Sequence, residues 1–276
     1  MTRDAARRET LTWRGGALSA LVRAGREPGL LMLHGLCGGA IHFDAAYRAS
    51  ALEGRALVAL DLPGFGESVG LGRRSLDELA DAARHVAITL GWARPVVVAH
   101  SMAASIAARL TDMAAGIVLF EGNVLPAHLG FSNRVLDGGE AAFRAEFPRL
   151  QATAPMILKY QTRQVAASAL RLYAETWSKC EAETVWAMIS SFNPEVRAGA
   201  IARRFAAYDG PVLCLFGMEG DYALSVADLA RELPHAELRG VGRAAHYLML
   251  DAPEAVYTAT AALMKRVEDH AELTAR

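Results

Sequence analysis

A serine becomes a nucleophile when its hydroxyl is presented clear of its own backbone and beside a base, and one stretch of this sequence is suited to that presentation: Pro95-Val96-Val97-Val98-Ala99-His100-Ser101-Met102-Ala103-Ala104. The valine run behind Pro95 predicts a short buried strand, and the small residues after it predict a helix running on through Arg109 and Leu110. Ser101 falls in the turn between them. A strand-to-helix turn of this kind lifts the hydroxyl off the sheet and aims the next residue's backbone N–H at whatever the serine attacks. Such turns carry the pattern G-x-S-x-G because the flanking positions approach neighbouring backbone closely. Ala99 and Ala103 keep the smallness without the glycines. The competing structural reading is a serine that only caps a helix.

The elements around this turn have to position whatever assists Ser101. Leu18 to Val22 and Leu30 to Leu33 read as early strands separated by Gly25, Pro28 and Gly29. The second leads into His34-Gly35-Leu36-Cys37-Gly38-Gly39, a glycine-rich turn whose backbone N–H groups can face a ligand, and then into a segment from Ile41 to Ser50 that can be helical. Ala56 to Leu60 predicts another strand, closed by Asp61-Leu62-Pro63-Gly64-Phe65-Gly66-Glu67-Ser68. Gly64 and Gly66 suggest a dinucleotide fingerprint, but the third glycine is Gly70, one place late, and no helix is predicted there. Leu76 to Leu90 has helical spacing, and Gly116 to Phe120 is a strand that delivers Glu121, Gly122 and Asn123 at its carboxyl end.

From Leu125 to about Arg204 the alternation of strand and helix stops, and the spacing of Val165, Ala169, Leu172, Tyr173 and Trp177 is helical. Alternation resumes with a strand over Pro211 to Phe216, a helix over Leu224 to Leu233, a short strand over Ala236 to Arg239 and a helix over Asp251 to Val267. His246 lies on the loop between the last two. Strands alternating with helices imply a mostly parallel α/β sheet covered on both faces, which binds ligands beyond the carboxyl ends of its strands. His34, Ser101, Glu121, Asp221 and His246 all fall at that edge. The expected division is a core of residues 1–124 and 205–276 with a helical insertion, 125–204, lying over the cleft.

Composition narrows the function classes. The 276 residues are 53% hydrophobic with a formal net charge of −1, which gives no basic field for nucleic acid or anionic membranes. Cys37, Cys180 and Cys214 are far apart and form no C-x-x-C pair, so neither a disulfide framework nor a zinc site is expected. Met1 to Glu9 has no apolar stretch behind it, and no run is long enough to span a bilayer, which points to the cytoplasm. The oligomeric state, a homodimer included, stays open.

Taken together, Leu33-His34-Gly35, Asp61 to Ser68, Ala99 to Ala103, Phe216-Gly217 with Asp221, and Ala245-His246 before Asp251-Ala252-Pro253 resemble the α/β-hydrolase superfamily, nearest to its capped serine esterases, lactonases and C–C hydrolases. They occur in the family's order across nearly the whole chain. The alanines at 99, 103 and 245 depart from the family's usual glycines. The resemblance implies an α/β-hydrolase sheet with helices on both faces and a helical cap, with Ser101 as nucleophile and His246 as general base. Backbone N–H groups of Leu36 and Met102 would form the oxyanion hole. It implies no cofactor and a small hydrophobic acyl or carbonyl substrate with an ester, lactone, thioester or C–C bond to be cleaved.

Haloalkane dehalogenation is disfavoured, because that branch has an aspartate where Ser101 stands. A non-catalytic binding protein on the same fold is the alternative, and a nucleotide-dependent oxidoreductase rests only on Gly64 and Gly66. Two residues compete for the acid that orients His246. Asp221 follows the family's usual strand but stands one residue late, with Gly220 at the customary position and Glu219 one early. Glu121 ends the strand after the elbow helix, and its extra methylene suits the longer reach. Adjacent residues in an elbow face opposite ways, so His100 is expected to point away. His34 is expected to brace the oxyanion loop.

Overall fold

Consecutive apolar residues on short segments bounded by turns make strands that are buried on both faces. In the computed structural model, which describes residues 6–68, 70–72 and 74–274, the chain forms one 8-stranded sheet in the order β1-β2-β4-β3-β5-β6-β7-β8. The strands are β1 (Arg7–Trp13), β2 (Gly16–Arg23), β3 (Arg26–Leu33), β4 (Arg55–Leu60), β5 (Val96–His100), β6 (Gly116–Phe120), β7 (Val212–Gly217) and β8 (Glu237–Val241). β1 to β2 and β2 to β4 are antiparallel, and every other neighbouring pair is parallel. Every residue of β4, β5 and β6 is buried, as their unbroken apolar runs require. Met1 to Ala5, the start of the segment read above for a leader, lies outside the described residues.

β1 was not expected. Its sequence, RRETLTW, buries only Leu11 and Trp13, so it has the charged face of an edge strand and too little apolar alternation to stand out. It is joined to β2 through Arg14 and Gly15 at φ 47° and 76°, a pair of left-handed residues that closes a tight hairpin without the Asn-Gly that usually announces one.

The helices are α1 (Leu76–Thr89), α2 (Ala104–Ala107), α3 (Gly130–Gly138), α4 (Glu140–Ala152), α5 (Ala154–Tyr160), α6 (Ala167–Ser178), α7 (Ala182–Arg197), α8 (Ala200–Ala206), α9 (Val226–Glu232), α10 (Leu248–Asp251) and α11 (Pro253–Thr274). α1 opens on a capping box in which Ser75 and Glu78 satisfy each other's backbone N–H groups. The helix expected from Ser101 through Leu110 is shorter. Ser101–Ala103 is a 3-10 turn and α2 ends at Ala107, while the Arg109 guanidinium donates to Ser105 O at 2.9 Å and caps a carbonyl of the last turn. Ile41 to Ser50 likewise forms 3-10 turns.

Helices α3 to α8 fill the chain between β6 and β7, and no strand forms there among the described residues. They are fastened to the carboxyl edge of the sheet at several points. Thr176 Oγ1 donates to Cys37 O at 2.7 Å, His42 Nε2 donates to Tyr173 O at 3.1 Å, and the N–H groups of Arg163 and Gln164 donate to Asp251 Oδ1 at 2.7 and 2.8 Å. Among the described residues no helix is long and apolar enough to cross a membrane.

Candidate active site

β3 and β5 are neighbours in the sheet and end level with each other, so the turns that follow them meet. Ser101 sits at the end of β5 with φ 56°, a left-handed conformation that costs a non-glycine residue energy and aims its side chain out of the strand-to-helix turn. Ala99 and Ala103, the substitutes for glycine, are wholly buried on either side and fit without displacing the turn.

Gly35 is a position where no side chain fits. An added Cβ there would lie 2.7 Å from His100 Nδ1 and 3.0 Å from Ser101 Cβ. The turn after it is braced by His34, whose Nε2 accepts from Leu62 N at 3.0 Å and whose Nδ1–H donates to Gly35 O at 2.8 Å. The same carbonyl accepts from Gly38 N at 3.0 Å. Burial holds the His34 pKa below its ordinary value, so the ring keeps the neutral tautomer these two bonds need. Asp61, at the end of β4, accepts from Ala40 N at 2.7 Å and from Arg8 at 2.6 Å, tying down the far end of the turn. Leu36 N–H has no acceptor among the described residues, and Met102 N–H opens the helical turn after Ser101, where no intrahelical acceptor exists.

Glu121 is the first residue past β6, at φ 46° and 2% exposed. Its Oε1 accepts from Gly217 N at 2.8 Å and its Oε2 accepts from His246 Nδ1–H at 2.9 Å. The carboxylate is thus clamped between the end of β7 and the imidazole, and it fixes the His246 tautomer with Nε2 unprotonated. Asp221 is exposed and opens the 3-10 turn Asp221–Ser225, while Glu219, also exposed, pairs with Arg163 at 3.3 Å. Of the two carboxylates proposed from sequence, only Glu121 is brought to His246.

His246 is held from behind by His100. His100 Nε2 donates to His246 O at 3.0 Å and the two rings lie 4.7 Å apart. His100 therefore remains part of the site's wall instead of pointing away. Burial, with His246 beside it, keeps its pKa well below the ordinary value. Asp251 supports the same loop by accepting from Ala245 N at 3.0 Å while it binds the segment before α6. Among the described residues Ser101 makes no hydrogen bond to His246, and Ser101 is 9% exposed.

Sequence reasoning gave Asn123, His128 and Tyr222 no part in the site. Asn123 N donates to Ser101 O at 2.9 Å, Tyr222 donates its hydroxyl hydrogen to Asn123 Oδ1, and His128 stacks on Tyr222 with ring centroids 4.1 Å apart. Behind them Glu121, His128, Cys214 and Tyr222 help line a cavity of ≈ 10 Å³, room for about one water. The sequence did place Asn123 at a strand end, but nothing in the spacing brings it to Tyr222.

The alpha/beta hydrolase family profile matches residues 30–259. The chain belongs to the alpha/beta hydrolase family. The chain is 27% identical over 262 residues to the dihydrolipoyllysine-residue acetyltransferase component of the acetoin cleaving system of Pseudomonas putida, covering 91% of this chain and 68% of that protein. Its fold is similar to that of a haloalkane dehalogenase from Bradyrhizobium elkani, with a TM-score of 0.77 at 19% identity over 96% of this chain and 99% of the other. It is also similar to an N-acyl homoserine lactonase, with a TM-score of 0.73 at 16% identity over 95% and 98%. At these identities the two structures establish the fold of the hydrolase, a mostly parallel sheet flanked by helices, as the sequence predicts.

Proposed function

We propose that this protein is a serine hydrolase that cleaves an ester, lactone, thioester or C–C bond beside the carbonyl of a small hydrophobic substrate. Ser101 is the nucleophile, His246 the general base and Glu121 the acid, with the Leu36 and Met102 N–H groups as oxyanion donors. The observation that carries this reading is the 2.9 Å bond from His246 Nδ1 to a buried Glu121 carboxylate, beside a serine held at φ 56°.

With Nδ1–H committed to Glu121, Nε2 is the ring atom that can take a proton. On substrate binding the Ser101 side chain rotates to His246, since such hydrogen bonds commonly form only in the loaded enzyme. The hydroxyl oxygen bonds to the carbonyl carbon, its proton passes to Nε2, and the negative oxygen accepts from the two backbone N–H groups. Each such donor is worth about 3 kcal/mol. The imidazolium, stabilised by Glu121, returns the proton to the leaving group, and a water then repeats the sequence on the acyl-enzyme. Residues 125–204 act as the cap, supported by the bond from Thr176 to the oxyanion loop at Cys37 O.

A panel of p-nitrophenyl esters, lactones and acyl thioesters tests the reading, the last class being included because the acetoin-system relative is by name an acetyltransferase. Turnover is expected in at least one class, and Ser101→Ala should lower kcat at least ~10³-fold while the fold persists. A Ser101→Ala variant as fast as the parent would sink the assignment.

A further inference from the structure

His246 stands on a short loop whose two flanks are both tied to the helical segment between β6 and β7. The tie runs through residues 161–166, which connect α5 to α6. On one flank Tyr247 N donates to Gln161 O at 3.2 Å. On the other, Ala245 N donates to Asp251 Oδ2 at 3.0 Å, and Asp251 Oδ1 accepts from Arg163 N and Gln164 N at 2.7 and 2.8 Å. The connector is fastened further by Arg163 Nη2, which donates to Glu219 O at 2.7 Å, and by Arg243 Nη2, which donates to Gln164 Oε1 at 3.1 Å.

Asp251 ends α10 and is 8% exposed. A carboxylate so buried has to be satisfied by donors, and here three backbone N–H groups do so. Its two oxygens serve different parts of the molecule. One holds the connector and the other holds the residue before His246, so a shift of the connector shifts the anchor of the imidazole.

We infer that Asp251 is a positioning residue that sets His246 against Glu121 only when the α5–α6 connector is seated, so that seating the helical segment and aligning the base are one event. The inference rests on His246 being the general base, as proposed above.

Asp251→Asn separates the two arms. Two donors meet at Oδ1 and one at Oδ2, so the amide puts its oxygen on Arg163 and Gln164 and its nitrogen against Ala245 N–H, where two donors face each other. The connector keeps its anchor and the base loses it. On the panel substrate that the parent turns over fastest, kcat should fall at least about tenfold with KM within about twofold, because misplacing a reacting group is costly while the pocket is kept. Arg163→Met loosens the connector from outside by removing its side-chain bonds to Glu219, and it leaves both backbone N–H groups on Asp251. It should lower kcat about fivefold in the parent and less than about twofold in Asp251→Asn, where the route to His246 is already cut. Equal factors in the two backgrounds, a parent-like kcat in Asp251→Asn, or a rise in KM alone overturns the inference and leaves the nucleophile and base assignments standing. If Asp251→Asn does not fold, Arg163→Met decides alone, and a parent-like kcat in it overturns the inference. A parent that turns over no ester, lactone or thioester of the panel overturns both this inference and the hydrolase reading.

Discussion

The loops that leave β6 and β7 start from neighbouring parallel strands, emerge at the same edge of the sheet and each carry a carboxylate, yet they treat it differently. Glu121 follows the last residue of β6 directly, is 2% exposed and spends both oxygens, one on His246 and one on Gly217 N. Asp221 stands beyond Met218, Glu219 and Gly220, whose N–H groups are used on Val241 O, Ala244 O and Gly217 O to turn the chain. That turn carries Asp221 to the surface and leaves Tyr222 half-buried against His128 and Asn123. A carboxylate fixed to a strand end needs no loop to be ordered before it can act, and the glutamate's extra methylene covers the distance that a loop would otherwise span. The β6 loop thus places a carboxylate against His246, while the β7 loop supplies a backbone donor for that carboxylate and a phenol for Asn123.

The comparison breaks most visibly in catalysis. Glu121→Gln keeps the shape of the β6 side but lets His246 take the wrong tautomer and leaves the imidazolium without its counter-charge. We expect kcat to fall on the order of 10²- to 10⁴-fold. Asp221→Asn, at an exposed position with no bond to His246, should change kcat less than about twofold. Both are measured on one substrate at one pH, and the reverse ranking would move the role to Asp221.

The second effect is on stability and comes from the residue where the two loops touch. Burial lowers the His128 pKa to about 4, with His246 adding to the effect, and its Nδ1 accepts from Val124 N and Leu125 N at 3.2 Å, bonds that protonation would break. An unfolded histidine takes its proton near pH 6.5 and the folded one only near 4, so between those values the unfolded state binds more protons. Stability therefore falls as pH drops through that window. One such group contributes at most about 3 kcal/mol. His42, also lowered to about 4 by burial, adds a similar slope. Urea unfolding at pH 7 and about pH 4.5, values that bracket most of this window, should show a smaller acid loss in His128→Gln than in the parent, by about 2 kcal/mol. Equal losses in the two proteins would show that His128 does not stay neutral in the folded state.

Much of this was legible in the sequence for a definite reason. Apolar runs without polar interruption, such as Val96 to Ala99 and Ile117 to Phe120, can only be central strands, and a small-residue turn after one of them singled out Ser101. The residues that escaped were those whose roles depend on contacts between distant segments. His128 and Ser225, or Tyr222 and Asn123, have no common period or motif and meet only because β6 and β7 are paired. His100 was placed by a local rule about alternating directions. The bond to His246 O formed across 146 positions could not enter that rule. β1 escaped for the opposite reason, its charged edge leaving too few buried residues to mark it as a strand.

The smallest expected effect sharpens the contact between the loops. Ser225 lies in the β7 loop and accepts from His128 Nε2–H, which belongs to the chain leaving β6, while its own hydrogen goes back to Tyr222 O. Ser225→Ala removes the acceptor and leaves a buried N–H with no partner on a ring that is itself 9% exposed. Deleting one partner of a buried pair costs the desolvation of the group left behind, so a loss of about 1–2 kcal/mol is expected. It should appear as a lower urea midpoint with an unchanged slope, since no additional surface is exposed. Catalysis should respond less, because Asn123 still accepts the Tyr222 hydrogen and the His128 ring still has its two backbone bonds at Nδ1. A Ser225→Ala protein with the parent's midpoint would mean that His128 finds another acceptor and that the two loops are joined through Glu121 and Asn123 alone.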